Sequence, residues 1–146
     1  MPEKKKNLSN SHGLALQPLA NCHLAVITSE WNQDVTYSMR DACIDELKKY
    51  GCKDDEIIAI SVPGAFELPS AAKMMLANKK LDSVICIGCV IKGETKHDEY
   101  ISNAVATGIM NLSIVSGKPV VFGVLTPNDM QQAIDRSGGK YGNKGI

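Results

Sequence analysis

The segment KGETKHDE at residues 92–99 is the part of the sequence best suited to chemistry on a phosphorylated substrate. It is polar, contains a glycine and leads into a helical pattern, so its backbone N–H groups can point at an anion, and Thr95 can add a hydroxyl. His97 can move protons at neutral pH. The alternative is a surface histidine near a helix start, and this segment alone does not decide between the two.

Two further candidates follow apolar strand patterns. Trp31 is the only tryptophan, and at the end of a strand its flat indole can stack on a planar heterocycle. The alternative is an aromatic residue of the core or of an interface. Glu67, in VPGAFELP at 62–69, can accept hydrogen bonds from a polyol or can be a helix-start acid favoured by the macrodipole. Gly64 lets the backbone turn tightly beside it.

The basic candidates lie near the end of the sequence and are Arg136, Lys140 and Lys144. An arginine offers a forked pair of donors to phosphate oxygens. Arg136 lies off the apolar stripe of its predicted helix, so packing does not require it, although a cation that complements the helix dipole is the alternative. The sequence contains neither G-x-x-x-x-G-K-S/T nor G-x-G-x-x-G after the first strand. The signatures of nucleotide hydrolysis and ordinary dinucleotide binding are therefore missing.

The cysteines do not form a disulfide pattern, because their number is odd and their spacing is irregular, which fits a reducing cytosol. They are Cys22, Cys43, Cys52, Cys86 and Cys89. The last two form a C-x-x-C motif inside SVICIGCVI, an apolar run that is typical of a strand. Residues three apart on a strand face opposite sides, so we expect no shared metal ion and no redox role.

The elements that must position these candidates alternate between strand and helix. Apolar runs predict strands at 23–29, 57–62, 83–91 and 120–126, and helical patterns follow each of them. Thr126, with Pro127 after it, predicts the cap of the last helix, whose final turn holds Arg136. Glycines at 138, 139 and 142 predict a flexible end. Four β-then-α units indicate an α/β fold with a parallel sheet, in which ligands bind beyond the carboxyl ends of the strands.

The composition narrows the class of partner. Lysine and arginine total 16, as do aspartate and glutamate, and no apolar run is long enough to cross a bilayer. We therefore expect a cytoplasmic protein that binds neither nucleic acid nor membrane. Residues 1–21 are polar and predict a mobile tail, and residues 22–146 predict one domain.

Five segments together resemble the lumazine synthases. They are SEWN at 29–32, VPGAFELP at 62–69, IGCVIKGETKHDEYI at 87–101, PVVFGVLT at 119–126 and QAIDRSGGKYGNKG at 132–145. The segments occur in the family's order, at spacings that need no insertion, and the match covers nearly everything from residue 23 onward. Each motif is modest alone, but the ordered set is highly specific.

The resemblance implies a flavodoxin-like three-layer αβα sandwich with a four-stranded parallel sheet. It implies a transferase of riboflavin biosynthesis that condenses 5-amino-6-(D-ribitylamino)uracil with 3,4-dihydroxy-2-butanone 4-phosphate. The products would be 6,7-dimethyl-8-ribityllumazine, phosphate and water, with no cofactor and no metal. It also implies a homopentamer with active sites between neighbouring subunits. Some family members form sixty-subunit capsids, and riboflavin synthase is the implied protein partner.

The same resemblance assigns roles to residues. His97 matches the proton-transfer histidine, and Trp31 takes the position whose ring stacks on the pyrimidine. The other implied contacts to the pyrimidine and its ribityl chain are Ala65, Phe66, Glu67, Cys89, Val90, Ile91 and Phe122, the last contributed across the subunit interface. The implied phosphate contacts are Glu94, Thr95, Arg136 and Lys144.

The sequence departs from the family pattern in two places. The family histidine is usually followed by an aromatic residue, an acid and a second aromatic residue, whereas here Asp98, Glu99 and Tyr100 follow. Asp98 adds a carboxylate beside His97. The sequence does not decide whether this carboxylate acts on the histidine electrostatically or alters the local packing. Family members also continue into a final helix whose start usually carries an acid that can orient the histidine. This sequence reaches Ile146 first, so we expect that helix to be missing.

Two other functions remain open. A binding module that holds a lumazine or flavin would share Trp31 and Glu67 but would not need Arg136 with Thr95. A structural shell protein is the second alternative, because RSGGKYGNKG contains no insertion of the kind that resemblance links to free pentamers. Product formation separates an enzyme from a binding module, and light scattering measures the size of the assembly.

Overall fold

A four-stranded parallel sheet is the centre of the computed structural model, which describes residues 17–146. The strands lie in the order β2-β1-β3-β4, with bounds β1 Leu24–Ser29, β2 Ile57–Val62, β3 Ser83–Cys89 and β4 Val120–Leu125. The helices between and after them are α1 Gln33–Lys49, α2 Leu68–Asn78, α3 His97–Ser116 and α4 Met130–Arg136. A short antiparallel pair follows, β5 Ser137–Gly139 with β6 Gly142–Asn143.

Two apolar cores, one on each face of the sheet, make the fold a three-layer sandwich. Leu68 and Ala72 of α2 and Val105 and Ile109 of α3 pack on one face. The opposite face packs against residues of α1 and α4, which are Val35, Met39, Cys43 and Ala133. Because β1 and β3 are covered on both sides, their residues are apolar on both faces. The predicted flavodoxin-like fold is confirmed.

The C-x-x-C motif shows the same alternation. Cys86 belongs to the core under α2 and α3, whereas Cys89 belongs to the core under α1 and α4. The prediction that the two thiols face opposite sides of the sheet is therefore confirmed. Gly123 of β4 lies so close to this strand that a Cβ there would approach the Cys86 carbonyl oxygen to 2.8 Å.

The start of α4 differs from the prediction. Thr126 is not its cap, because Asp129 takes that position and accepts a hydrogen bond from the Gln132 N–H at 2.8 Å. Pro127 instead lies three residues before the helix, and its carbonyl accepts from the Lys92 N–H at 2.9 Å. This hydrogen bond continues the pairing between β3 and β4 past the ends of both strands, so the helix begins later, at Met130.

The glycine-rich end is an ordered hairpin, so the prediction of a flexible end is wrong. Asn143 causes the order, because its side-chain amide donates to the Ser38 carbonyl at 3.1 Å and to the Ser137 carbonyl at 3.0 Å. Gly138 and Gly142 adopt positive φ angles of 129° and 73°, which favour glycine. The hairpin is thereby attached to α1.

Residues 1–16 of the predicted tail lie outside the described residues. Within the remainder of that tail, Leu19 donates its N–H to the Tyr50 carbonyl at 2.7 Å, at the end of α1. In the described chain, no helix is both long and apolar enough to span a membrane.

Candidate active site

A cavity of about 910 Å³ lies beyond the carboxyl ends of β1, β2 and β3. This is where ligands bind in open parallel sheets, and the volume suits a small-molecule ligand. The predicted site residues that line it are Trp31, Ala65, Phe66, Glu67, Cys89, Val90, Ile91, Thr95 and His97. Residues from four loops and strand ends therefore meet in one place.

Trp31 presents its indole to this cavity rather than to the core, since the residue is 74% exposed. Its backbone is nevertheless fixed, because the Trp31 N–H donates to the Pro63 carbonyl at 3.1 Å and the preceding Glu30 N–H donates to the Val62 carbonyl at 2.8 Å. The alternative of a core tryptophan is thus excluded. A held backbone with an exposed ring is what a stacking platform requires.

Asn32 supports this loop and was not predicted as a site residue. It adopts a left-handed conformation with φ 61°, which asparagine tolerates better than most residues. Its side-chain amide donates to the Cys89 carbonyl at 3.0 Å and so joins the loop after β1 to the end of β3. Thr36, one turn into α1, donates its hydroxyl to the Ser29 carbonyl at 2.7 Å. The SEWN segment includes Asn32, but the sequence does not show that its side chain bonds to the Cys89 carbonyl.

Glu67 serves the turn after β2 and also faces the cavity. Its oxygen Oε2 accepts a hydrogen bond from the Gly64 N–H at 2.9 Å, which closes the short 3-10 turn Ala65–Glu67. A carboxylate has a second oxygen and further lone pairs, so this bond leaves capacity for a ligand hydroxyl. Glu67 can therefore stabilise the turn as a helix-start acid and also accept hydrogen bonds from a polyol.

Cys89, Val90 and Ile91 line the cavity at the end of β3 and just after it. Burial raises the pKa of the Cys89 thiol to about 11, so the group is neutral at physiological pH. Burial likewise raises the pKa of the Cys86 thiol to about 12. Because the thiolate is the nucleophile and the metal ligand, neutral Cys89 acts as apolar lining of the cavity and neutral Cys86 as part of the core. In residues 17–146, no group of three or more His, Cys, Asp or Glu side chains is placed to hold a metal ion.

The loop that precedes α3 brings Gly93, Thr95 and His97 to the cavity wall. Helix α3 begins at His97, and the His97 N–H approaches the Thr95 hydroxyl at 3.4 Å. Asp98 accepts a hydrogen bond from the Gly93 N–H at 3.3 Å and also lines the cavity. Glu94 is exposed and is not among the lining residues. The loop thus combines helix-start N–H groups, a hydroxyl and an imidazole.

In the described part of a single chain, Arg136, Lys144 and Phe122 do not line this cavity. The Arg136 guanidinium lies 5.1 Å from the centre of the Tyr141 ring and donates to the Gln132 carbonyl at 3.1 Å. The Lys144 backbone N–H donates to the Arg136 carbonyl at 2.8 Å, so the backbones of these two residues are joined. Phe122 is 43% exposed in the middle of the edge strand β4.

Comparisons with known proteins agree with this arrangement. The model of the 6,7-dimethyl-8-ribityllumazine synthase family matches residues 21–146. The chain belongs to this family. A 6,7-dimethyl-8-ribityllumazine synthase from Cytophaga hutchinsonii is 42% identical over 145 residues, which cover 99% of this chain and 91% of the relative. The one from Bacteroides fragilis is 44% identical over 120 residues, covering 82% and 84%. That from Flavobacterium psychrophilum is 43% identical over 145 residues, covering 99% and 77%.

In this lumazine synthase family member, three further lining residues come from α3 and were not predicted as site residues. Tyr100, Ile101 and Ala104 lie three, four and seven positions after His97. Residues at these spacings share one face of a helix, so the helical pattern would have placed them beside His97 had the helix been predicted to begin there.

Proposed function

We propose that this chain catalyses the condensation of 5-amino-6-(D-ribitylamino)uracil with 3,4-dihydroxy-2-butanone 4-phosphate in riboflavin biosynthesis. The products are 6,7-dimethyl-8-ribityllumazine, phosphate and water. The observation that carries the proposal is that an exposed indole and a helix-start turn with Thr95 and His97 line one cavity. A planar heterocycle and a phosphate could therefore be held next to each other, as this reaction requires.

The proposed roles follow the position of each group. The pyrimidine stacks on Trp31, its ribityl hydroxyls donate to Glu67, and its edge meets Cys89, Val90 and Ile91. The 5-amino group attacks the ketone, and water leaves as the imine forms. Phosphate is then eliminated, and the ribitylamino nitrogen closes the ring with loss of water. None of these steps needs a nucleophile from the protein, so positioning supplies much of the acceleration, up to roughly 7–11 kcal/mol in favourable cases.

The direct test is an absorbance assay for lumazine formation with both substrates, and with the butanone phosphate left out. We expect product only when both are present. A chain that binds lumazine but forms none from the two substrates would be the binding module instead, and this outcome would defeat the proposal.

His97 is proposed to transfer protons between the reacting nitrogen and oxygen atoms. We expect His97→Ala to lower kcat about 100-fold without abolishing turnover, because general acid–base catalysis contributes roughly that much and positioning remains. Steady-state kinetics with both substrates provide the measurement. Lys96→Ala, a change at the preceding exposed residue, is the control and should keep the wild-type kcat. A full rate in the His97 variant would remove the histidine from the mechanism.

We also propose that each cavity is completed by a neighbouring chain in a homopentamer. Support comes from the positions of Arg136, Lys144 and Phe122, which lie outside the cavity of their own chain. Contact by one patch with a different patch on the next copy is a head-to-tail interface, which forms a ring when the rotation between copies closes. Further support comes from large exposed apolar residues on α3, namely Met110, Ile114 and Val115, since monomers rarely expose large apolar patches.

We also propose an assembly size, a protein partner and a location for this enzyme. The pentamer is the assembly unit, and light scattering distinguishes it from a sixty-subunit shell by size. Riboflavin synthase is the proposed protein partner, and co-sedimentation tests it. The location is proposed to be cytoplasmic, because the cysteines of the chain are all free thiols, which fits a reducing compartment.

A further inference from the structure

Asp98 lies inside the turn that the proposed function assigns to the phosphate. Its oxygen Oδ1 accepts a hydrogen bond from the Gly93 N–H at 3.3 Å, and both residues line the cavity together with Thr95. A phosphate held at the start of α3 would use backbone N–H groups of this kind as donors. The carboxylate of Asp98 therefore occupies a donor that the substrate's anion could use.

The charge of Asp98 acts in the same direction as its hydrogen bond. A carboxylate and a phosphate are both negative, and like charges repel more strongly in a partly enclosed cavity than in bulk water. Glu99 also carries a carboxylate in the first turn of α3, yet it is exposed and does not line the cavity. Asp98 and Glu99 thus carry the same charge, but only Asp98 lines the cavity.

We infer that Asp98, held in the phosphate turn by its hydrogen bond from the Gly93 N–H, weakens phosphate binding because its negative charge repels the incoming anion. The inference rests on the proposed function, because it concerns the phosphate turn of the same site. Its consequence is that the phosphorylated substrate and the phosphate product are both held less tightly. Accumulated phosphate therefore inhibits the enzyme less than it would without this acid.

The test is Asp98→Asn, which keeps the size of the side chain and an oxygen that can accept from Gly93 but removes the charge. We expect the Kd of inorganic phosphate, measured by calorimetry on the complete chain, to fall about five- to tenfold. The KM for the butanone phosphate should fall by a similar factor, with kcat changed less than about twofold. The difference from wild type should shrink at about 1 M salt, because screening weakens repulsion between charges.

Glu99→Gln is the matched control, since it removes the same charge one residue further along, and its phosphate Kd should change less than about twofold. Equal effects of the two substitutions, a weaker binding of phosphate by Asp98→Asn, or no measurable phosphate binding by either chain would overturn the inference. The titration needs no turnover. A wild-type chain that forms no lumazine from both substrates would defeat the proposed function, whereas the phosphate affinities alone decide the role of Asp98.

Discussion

At a butanone phosphate concentration well below its KM, chains that carry Trp31→Ala and chains that carry Arg136→Ala should each be nearly inactive alone, and they should regain about a quarter of the wild-type rate when assembled together in equal amounts. The reason is the separation of the two residues in one chain: Trp31 lines the cavity and Arg136 does not. In a mixed head-to-tail ring, a complete site forms wherever an intact tryptophan of one chain meets an intact arginine of the next. Random assembly produces this pairing at one junction in four.

The measurement is lumazine formation by the two variants refolded separately and refolded as a mixture. A mixture of Trp31→Ala with His97→Ala is the control, because both residues line the same cavity of the same chain and no junction can then be complete. That mixture should show only the mean of its components. If the tryptophan and arginine variants also gave only their mean, the shared site would be ruled out.

Arg136→Ala by itself should lower kcat/KM for the butanone phosphate by about 100-fold, because losing a charge-assisted hydrogen-bonded contact to phosphate costs about 3 kcal/mol. The effect should fall mainly on the KM for the phosphorylated substrate and leave the affinity for the pyrimidine nearly unchanged. Arg136→Lys should recover only part of the loss, since an ammonium lacks the forked donors of a guanidinium.

The sequence offers a close control, because Arg40 is its only other arginine. Arg40 also lies over a tyrosine ring, 4.2 Å from the centre of Tyr37, and it does not line the cavity. Arg40→Ala therefore removes the same charge and a similar ring contact, and it should leave the KM for the butanone phosphate unchanged. Wild-type kinetics in the Arg136 variant would remove this residue from the phosphate site.

The fold was predictable where local patterns and packing agree. β2 begins and ends at the residues that its apolar run predicted, and Gly117 ends α3 in a left-handed conformation that favours glycine. The beginning of α3 was less visible, because its first turn is exposed and polar and gives no apolar periodicity. Acids at 98 and 99 nevertheless suit a helix start, where the macrodipole favours negative charge.

The errors came from interactions between segments distant in sequence. Asn143 holds the last hairpin by bonding to Ser38, which is 105 residues away, so no local pattern could predict its order. Pro127 resembles the first residue of a helix, yet its carbonyl accepts from the Lys92 N–H and the helix begins only at Met130. In the first case a tertiary hydrogen bond outweighed the flexibility of the glycines. In the second it outweighed the tendency of the Thr-Pro pair to begin a helix.

Some residues of the candidate site were likewise predictable from the sequence, and others were not. Residues at strand ends, such as Trp31 and Cys89, were predictable because parallel strands bring their carboxyl ends to one edge. Asn32 and Asp98 were harder, since their partners are a backbone carbonyl and a backbone N–H that only the folded chain brings near. The placement of Arg136 outside the cavity depends on the path of α4 after β4, which the pattern of residues did not specify.

Because Trp31 lines the cavity of its own chain and Arg136 does not, the proposed sharing of sites also fixes how many sites an assembly contains. If the Arg136 of every copy completes the site of the next copy, a closed ring contains as many complete sites as copies. An open row of copies contains one complete site fewer, and a single copy contains none. Turnover per copy would then fall when the enzyme is diluted below the dissociation constant of the ring and return on concentration, while each polypeptide stays folded throughout.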